Sequence, residues 1–265
     1  CVLKNFPDIA LNNLAQIFNN CFTAGYFPLE WKIGKIIAIP KPNKDPHSPY
    51  SYRPITLLPA IGKVFEKIIL SKLRDHEEEN HILKNQQFGF RSNHSTTQQI
   101  LRITESISLR FNEDKSTALT TLDLEKAFDK VWHEALIHKL KQQRFPTYLL
   151  KIIFSFLNDR ESFVVINDKK SFPFIAPTGV PQGSPLSPFL FTIFINDIPV
   201  PKNCKIAKFA DDTALTSSRH NSEFPKLIKT MENGLKEIAN YFAEWKIKIN
   251  SEKTESMLFT HSHKI

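Results

Sequence analysis

The sequence predicts an α+β fold, with helices packed on one side of a mostly antiparallel sheet. Three observations point to it. Leu227, Ile228, Met231, Leu235, Ile238, Phe242 and Trp245 recur every three or four positions, the spacing of a helix with one buried face. Two β-prone runs, 205–210 and 213–216, flank a two-residue turn and predict a hairpin. Helical and extended patterns alternate along the chain, with no internal repeat, low-complexity tract or flexible linker between them.

Taken in order, residues 11–22 carry helical spacing through Leu11, Leu14, Ile17, Phe18 and Phe22. Residues 36–39 are a short apolar run that reads as a buried strand. The stretch 41–52, dense in Pro, Asn, Asp and Ser, is a loop, and 55–58 is the returning strand. Val64, Phe65, Ile68, Ile69 and Leu73 share a helix face, and a further helix covers 95–112. Residues 118–124 form a β-prone run ending in acids. Helices follow over 134–143 and 147–157, then a pair of short strands over 163–166 and 172–175. Ser184 as N-cap and Pro185 in the first helical position predict a helix running towards Asn196. After the hairpin and the long helix, two short strands over 246–250 and 255–259 complete the order.

With 265 residues the chain can build one large domain or two closely packed lobes. Apolar residues make up 41% of it, which excludes a disordered chain, and 22 Phe against 7 Gly predict a bulky core. A formal charge of +8 suits a polyanionic partner, because Lys and Arg neutralise phosphates and release counterions; a solvated basic surface has the same composition. Cys1, Cys21 and Cys204 are odd in number and widely spaced, which supports neither a disulfide framework nor a zinc site and fits a reducing compartment. The longest apolar stretch, around Phe189 to Ile195, is too short to span a bilayer, so no membrane partner is expected. The sequence shows no signal-peptide pattern and begins without Met, so it reads as a fragment or a processed piece.

Two groups of residues carry chemistry. In Thr120-Thr121-Leu122-Asp123-Leu124-Glu125-Lys126-Ala127-Phe128-Asp129, Asp123 stands where a β-run ends, at the lip of a sheet. In Lys208-Phe209-Ala210-Asp211-Asp212-Thr213, two adjacent carboxylates occupy a tight turn, where they repel unless a cation neutralises them. Asp also suits turns for purely local reasons, so each motif alone is equally a solvated acid cluster. Together they make a site for hard divalent cations. Mg²⁺ takes a few carboxylates and keeps positions for substrate phosphates.

These segments resemble motifs A and C of reverse transcriptases. Between them, Gly179-Val180-Pro181-Gln182-Gly183-Ser184-Pro185-Leu186-Ser187-Pro188 resembles motif B. Upstream, Ile39-Pro40-Lys41-Pro42-Asn43-Lys44-Asp45 and Tyr52-Arg53-Pro54-Ile55 resemble the fingers motifs. Gln87-Phe88-Gly89-Phe90-Arg91 with Ser95-Thr96-Thr97 resembles the additional block of non-LTR elements, and Trp245 to Lys253 resembles motif D. All stand in the family's order from about Trp31 to Phe259, and LDLEKAFDKVWHEALIHKL is similar to the jockey-like non-LTR retrotransposons. A group II intron maturase would share the fold and chemistry, and a non-catalytic nucleic-acid-binding relic would share the fold.

The resemblance implies fingers and palm: a helical lead-in over 1–30, fingers over 31–117, a palm over 118–265, the whole domain over about 31–260, and a thumb missing or truncated. It implies an RNA-directed DNA polymerase that extends a DNA primer on an RNA template with dNTPs and two Mg²⁺ ions, Mn²⁺ being an alternative. Asp123, Asp211 and Asp212 would be the metal and catalytic residues, with Lys253 as general acid towards pyrophosphate. Lys41, Arg53, Ala127, Phe128 and Gln182 would contact the dNTP, Phe128 as a gate against the 2′-hydroxyl. Lys44, beside the fingers turn, is either a phosphate contact or an exposed loop charge. Phe88 and Arg91, with Phe90 beside them, would meet the template by stacking and phosphate contact, although both rings equally suit a core. Glu125 and Asp129 would buffer charge, and the histidines, His94 and His133 among them, show no metal spacing. An upstream endonuclease, absent from this sequence, and a location in nucleus and cytoplasm are the family's expectations.

Overall fold

The computed structural model of the chain describes residues 5–261. They form two compact units, each made of two stretches: residues 5–80 with 133–187, and 81–132 with 188–261.

The first unit shows where much of the phenylalanine goes. Helix α1, Asp8–Ala24, ends at Gly25, whose φ of 63° lets the chain turn back and its N–H reach the Phe22 carbonyl at 3.2 Å. Phe18 stacks on Phe65 at 5.0 Å, and Phe27 meets Phe156 edge-on at 5.1 Å. Phe27 and Phe65 have no exposed surface. Phe65 belongs to α2, Ala60–Glu79, and Phe156 to α5, Thr147–Leu157; α4, His133–Gln142, packs on α5. The sheet of this unit joins β1, Gly34–Pro40, to β2, Tyr52–Leu57, as an antiparallel hairpin. On its other side β1 pairs in parallel with β4, Glu161–Ile166, and β4 also pairs with the two-residue strands β5, Lys169–Lys170, and β6, Phe174–Ile175.

The second unit is built on a fully antiparallel four-stranded sheet in the order β7-β8-β3-β9, comprising Cys204–Phe209, Asp212–His220, Lys115–Leu124 and Ile249–Phe259. Helix α3, Thr96–Phe111, opens with a complete capping box: Ser95 Oγ accepts from the Gln98 amide and Gln98 Oε1 accepts from the Ser95 amide. Helix α7, Phe224–Glu244, is the strongly periodic segment of the sequence. It lies close on the sheet at Gly234, where a Cβ would stand 3.2 Å from both Cys204 Sγ and Leu215 Cδ2.

Two sequence expectations are corrected. The helix predicted from Ser184 begins later: α6 is Ser187–Phe194. The Ser184 hydroxyl is used elsewhere, donating to the buried Glu66 carboxyl and accepting from the Leu186 amide at 3.0 Å. The two short closing strands are one long strand, β9, which follows β3 through a register irregularity between Thr121 and Asp123. Its Asn, Ser, Glu and Lys look like turn residues in sequence, but β9 is an edge strand, where polar side chains are normal. Among the described residues no helix is long and apolar enough to cross a membrane.

Candidate functional site

The acids of the two motifs meet in the second unit. β3 and β8 are register partners from Lys115↔His220 to Leu122↔Thr213. Side chains alternate along each strand, so paired Leu122 and Thr213, both buried, share the face that Leu215 turns to α7. One step further along each strand, Asp123 and Asp212 fall on the opposite face. Asp211 stands beside them in the two-residue turn, Ala210-Asp211, that joins β7 to β8. Ala210 has φ of 57°, a left-handed conformation at the first turn position, which suits the twist of a tight hairpin.

The three carboxylates feel one another. Asp212 is pushed up from its ordinary value, first by burial and then by the charges of Asp211 and Asp123. Lys253, on β9, brings its ammonium to 3.7 Å from Asp123 Oδ2; both side chains are well exposed, so this is a loose pair. Among the described residues no group of three or more His, Cys, Asp or Glu is arranged to hold a metal ion by itself. The donor set still fits Mg²⁺. It is all oxygen and anionic, with Lys253 only loosely paired to Asp123, and Mg²⁺ is usually held by a few carboxylates with positions left for substrate phosphates. Asp123, Asp211 and Asp212 are the residues that could hold such an ion.

After β3 the chain turns through Lys126, with φ of 50°, into a 3-10 turn over Ala127–Lys130. Ala127 is buried and Phe128 half-buried. The Phe128 ring stacks on Phe191 of α6 at 4.8 Å and meets Phe90 edge-on at 6.1 Å. Phe90 is exposed, with φ of 60°. Phe88 is less available than the sequence suggested: Arg102 lies 4.9 Å over its ring and His94 meets it edge-on at 4.6 Å. Arg91 is half-buried. Glu125 pairs with Lys248 at 3.1 Å.

The other predicted residues belong to the first unit. Arg53 lies opposite Ile39 in the β1–β2 hairpin and is exposed. Lys41 follows β1; its ammonium donates to the Tyr50 carbonyl at 2.9 Å, and its amide to the Ser51 carbonyl at 2.7 Å. Lys44 is exposed in the turn between the strands. The Gln182 carbonyl accepts from the Thr56 amide of β2 at 2.6 Å. Gly183 next to it has φ of 126°, and a Cβ there would stand 2.4 Å from the Thr56 carbonyl oxygen, so only glycine fits.

Several residues that support these segments were not evident in the sequence. Glu66 is fully buried, and burial pushes its carboxyl up to about 7 against the opposing effects of Ser184, Leu186 and Lys63. The buried Arg160 donates to the Gly179 carbonyl at 2.6 Å, to Thr178 at 3.3 Å and to Leu157 at 3.1 Å. His133 reaches the same Gly179 carbonyl at 2.8 Å, and burial lowers its pKa. In the second unit Lys208 is buried within β7, its ammonium donating to the Ile195 carbonyl at 3.1 Å. Gln87 and Gln99 are buried amides against the same strand. None has a local sequence signature, because each has a partner distant in sequence.

Comparison with known proteins makes the family explicit. The family described as reverse transcriptase (RNA-dependent DNA polymerase) matches residues 39–265, and the chain belongs to it. Over 97% of its length the chain is 36% identical to the probable RNA-directed DNA polymerase from transposon BS of Drosophila melanogaster, and over 98% it is 36% identical to the RNA-directed DNA polymerase from mobile element jockey of the same organism. It spans 29% of the length of each of these relatives. A telomerase from Candida tropicalis, solved in complex with a fragment of telomeric RNA, shares the fold with a TM-score of 0.61 at 14% identity, covering 95% of this chain and 45% of that one.

Proposed function

We propose that this chain is the fingers and palm of an RNA-directed DNA polymerase from a jockey-like retrotransposon, joining dNTPs to the 3′-hydroxyl of a DNA primer on an RNA template. The observation that carries the reading is the convergence of Asp123, Asp211 and Asp212 at one end of the antiparallel sheet, with Asp212 pushed up by burial and then by its two neighbours. Two Mg²⁺ ions bound there would activate the attacking hydroxyl and stabilise the leaving pyrophosphate. The protein's own residues then hold and orient. Asp123 and Asp211 are the carboxylate ligands, and Asp212 keeps the site anionic. Lys253, already beside Asp123, is a proton donor to the departing pyrophosphate. Lys41 and Arg53 meet the triphosphate, Arg53 with a planar fork suited to phosphate oxygens. The family resemblance assigns Gln182 and Ala127 each to nucleotide contact, and the Phe128 ring, backed by Phe191, would exclude a 2′-hydroxyl. Arg91 would meet the template by phosphate contact, and Phe88 only at the ring surface that Arg102 and His94 leave open.

The test is primer extension by the chain on an RNA template with dNTPs and Mg²⁺, beside the Asp123→Asn variant. Mg²⁺-dependent incorporation by the wild type, lost in the variant, is the expected result. A wild type that binds the template–primer but never extends it would make the chain a binding relic.

A further inference from the structure

The turn that carries Asp211 is held from behind by a single side chain. Gln87 is fully buried in an extended segment that lies parallel to β7 at Lys208. Its Oε1 accepts from the Ala210 amide at 3.2 Å and from the Gly89 amide at 2.9 Å, and its Nε2 donates towards the Ala210 carbonyl at 3.4 Å. One primary amide thus engages both backbone polar groups of Ala210, the left-handed residue directly before Asp211. The backbone on either side is tied as well: the Phe88 amide donates to the Lys208 carbonyl at 3.0 Å and the Lys208 amide to the Gln86 carbonyl at 2.8 Å. The approach is as close as a polypeptide allows. A Cβ on Gly89 would stand 2.0 Å from the Ala210 nitrogen.

We propose that Gln87 is a positioning residue for nucleotidyl transfer, fixing the Ala210-Asp211 turn so that the Asp211 carboxylate meets Asp123 in one geometry. This rests on reading Asp123 and Asp211 as the ligands of the reaction. A hairpin turn with a non-glycine residue at positive φ has alternatives close in energy. A buried amide that satisfies both polar groups of that residue removes them, because any other turn takes the Ala210 carbonyl from the buried Gln87 Nε2 and leaves Oε1 with the Gly89 amide alone. The same bonds tie the Gln87-to-Arg91 segment, with Phe90 against Phe128, to the catalytic hairpin.

The test compares wild type with Gln87→Met, which keeps the side chain's length and loses its hydrogen bonds, and Gln87→Glu, which keeps an acceptor for both amides. Two readouts are taken: amide hydrogen exchange at Gly89 and Ala210, and steady-state primer extension. Gln87→Met is expected to expose both amides to fast exchange and to lower kcat by about a hundredfold, the cost of displacing a reacting group by about 1 Å, with KM for dNTP little changed. Gln87→Glu is expected to retain amide protection. A folded Gln87→Met protein with wild-type exchange at Ala210, or with wild-type kcat, overturns the proposal. If that variant does not fold, Gln87→Glu decides, and loss of protection at Ala210 in it overturns the proposal. Exchange is measured without turnover, so a wild type that fails to extend primers would refute the polymerase reading and leave the exchange result to judge the clamp.

Discussion

Glu66→Gln is expected to remove a pH dependence of stability that one buried carboxyl imposes on the chain. Glu66 lies on α2 with no exposed surface, accepts from the Ser184 hydroxyl, and has an Oε1 with no hydrogen-bond partner. Burial is the dominant influence and carries the folded-state pKa from 4.5 to about 7. The sign follows from proton counting. Between those two values the folded chain holds a proton that the unfolded chain has released, so stability falls as pH rises. The contribution is complete below about pH 4.5 and lost as pH passes 7. At about 1.4 kcal/mol per pH unit, the span amounts to about 3 kcal/mol. Glutamine keeps the shape and the acceptor oxygen without the ionisation. Urea unfolding of both proteins, followed by circular dichroism from pH 4.5 to 8, is the assay. The difference in unfolding free energy should move by about 3 kcal/mol in favour of Glu66→Gln across that range; titrations common to both proteins cancel. A difference that stays flat with pH would refute the reasoning, and one that moves the other way would mean that the carboxylate is ionised and stabilising. Ser184 follows Gln182 and Gly183, whose backbone is seated on Thr56.

Two further outcomes follow from the geometry. Phe128→Ala removes the ring that stacks on Phe191 and should lower discrimination against ribonucleotides by about tenfold or more, about 1.4 kcal/mol of differential binding, measured as the ratio of kcat/KM for dNTP and rNTP; an unchanged ratio would take Phe128 out of the gate role. Arg160→Met removes the guanidinium's hydrogen bonds to the carbonyls of Leu157, Thr178 and Gly179, of which Gly179 keeps His133, and should cost about 1–3 kcal/mol in urea unfolding; a loss under about 1 kcal/mol would mean that other donors replace it.

What was legible in the sequence was local. Six apolar positions of α7, with Trp245 just past its end, the helical run over 95–112, and the tight turn between two β-prone runs carry their signal locally, although the turn is Ala210-Asp211 and Asp212 already belongs to β8. Asp123 was legible because a strand ends at it. The rest is set by partners far along the chain. Ser184 has the local chemistry of an N-cap, yet Glu66, 118 positions away, takes its hydroxyl. Gln87 looks like any polar residue before an aromatic, and its partner Ala210 is 123 positions distant. β1 pairs in parallel with β4, a contact between elements separated by four α-helices and two strands, which no alternation pattern encodes. Phe88 and Phe90 could be core or platform by composition; Arg102 and His94 occupy Phe88, while Phe90 stays exposed.

The central claim is that the carboxylates at the β3–β8 end carry out DNA synthesis, and Asp211→Asn tests it most directly. Asparagine preserves the turn and removes one charge, so far-ultraviolet circular dichroism and the urea midpoint should stay at wild-type values. Primer extension on an RNA template with Mg²⁺ should fall by at least about a thousandfold, about 4 kcal/mol of lost transition-state stabilisation. A folded Asp211→Asn protein that extends the primer at the wild-type rate would contradict the account.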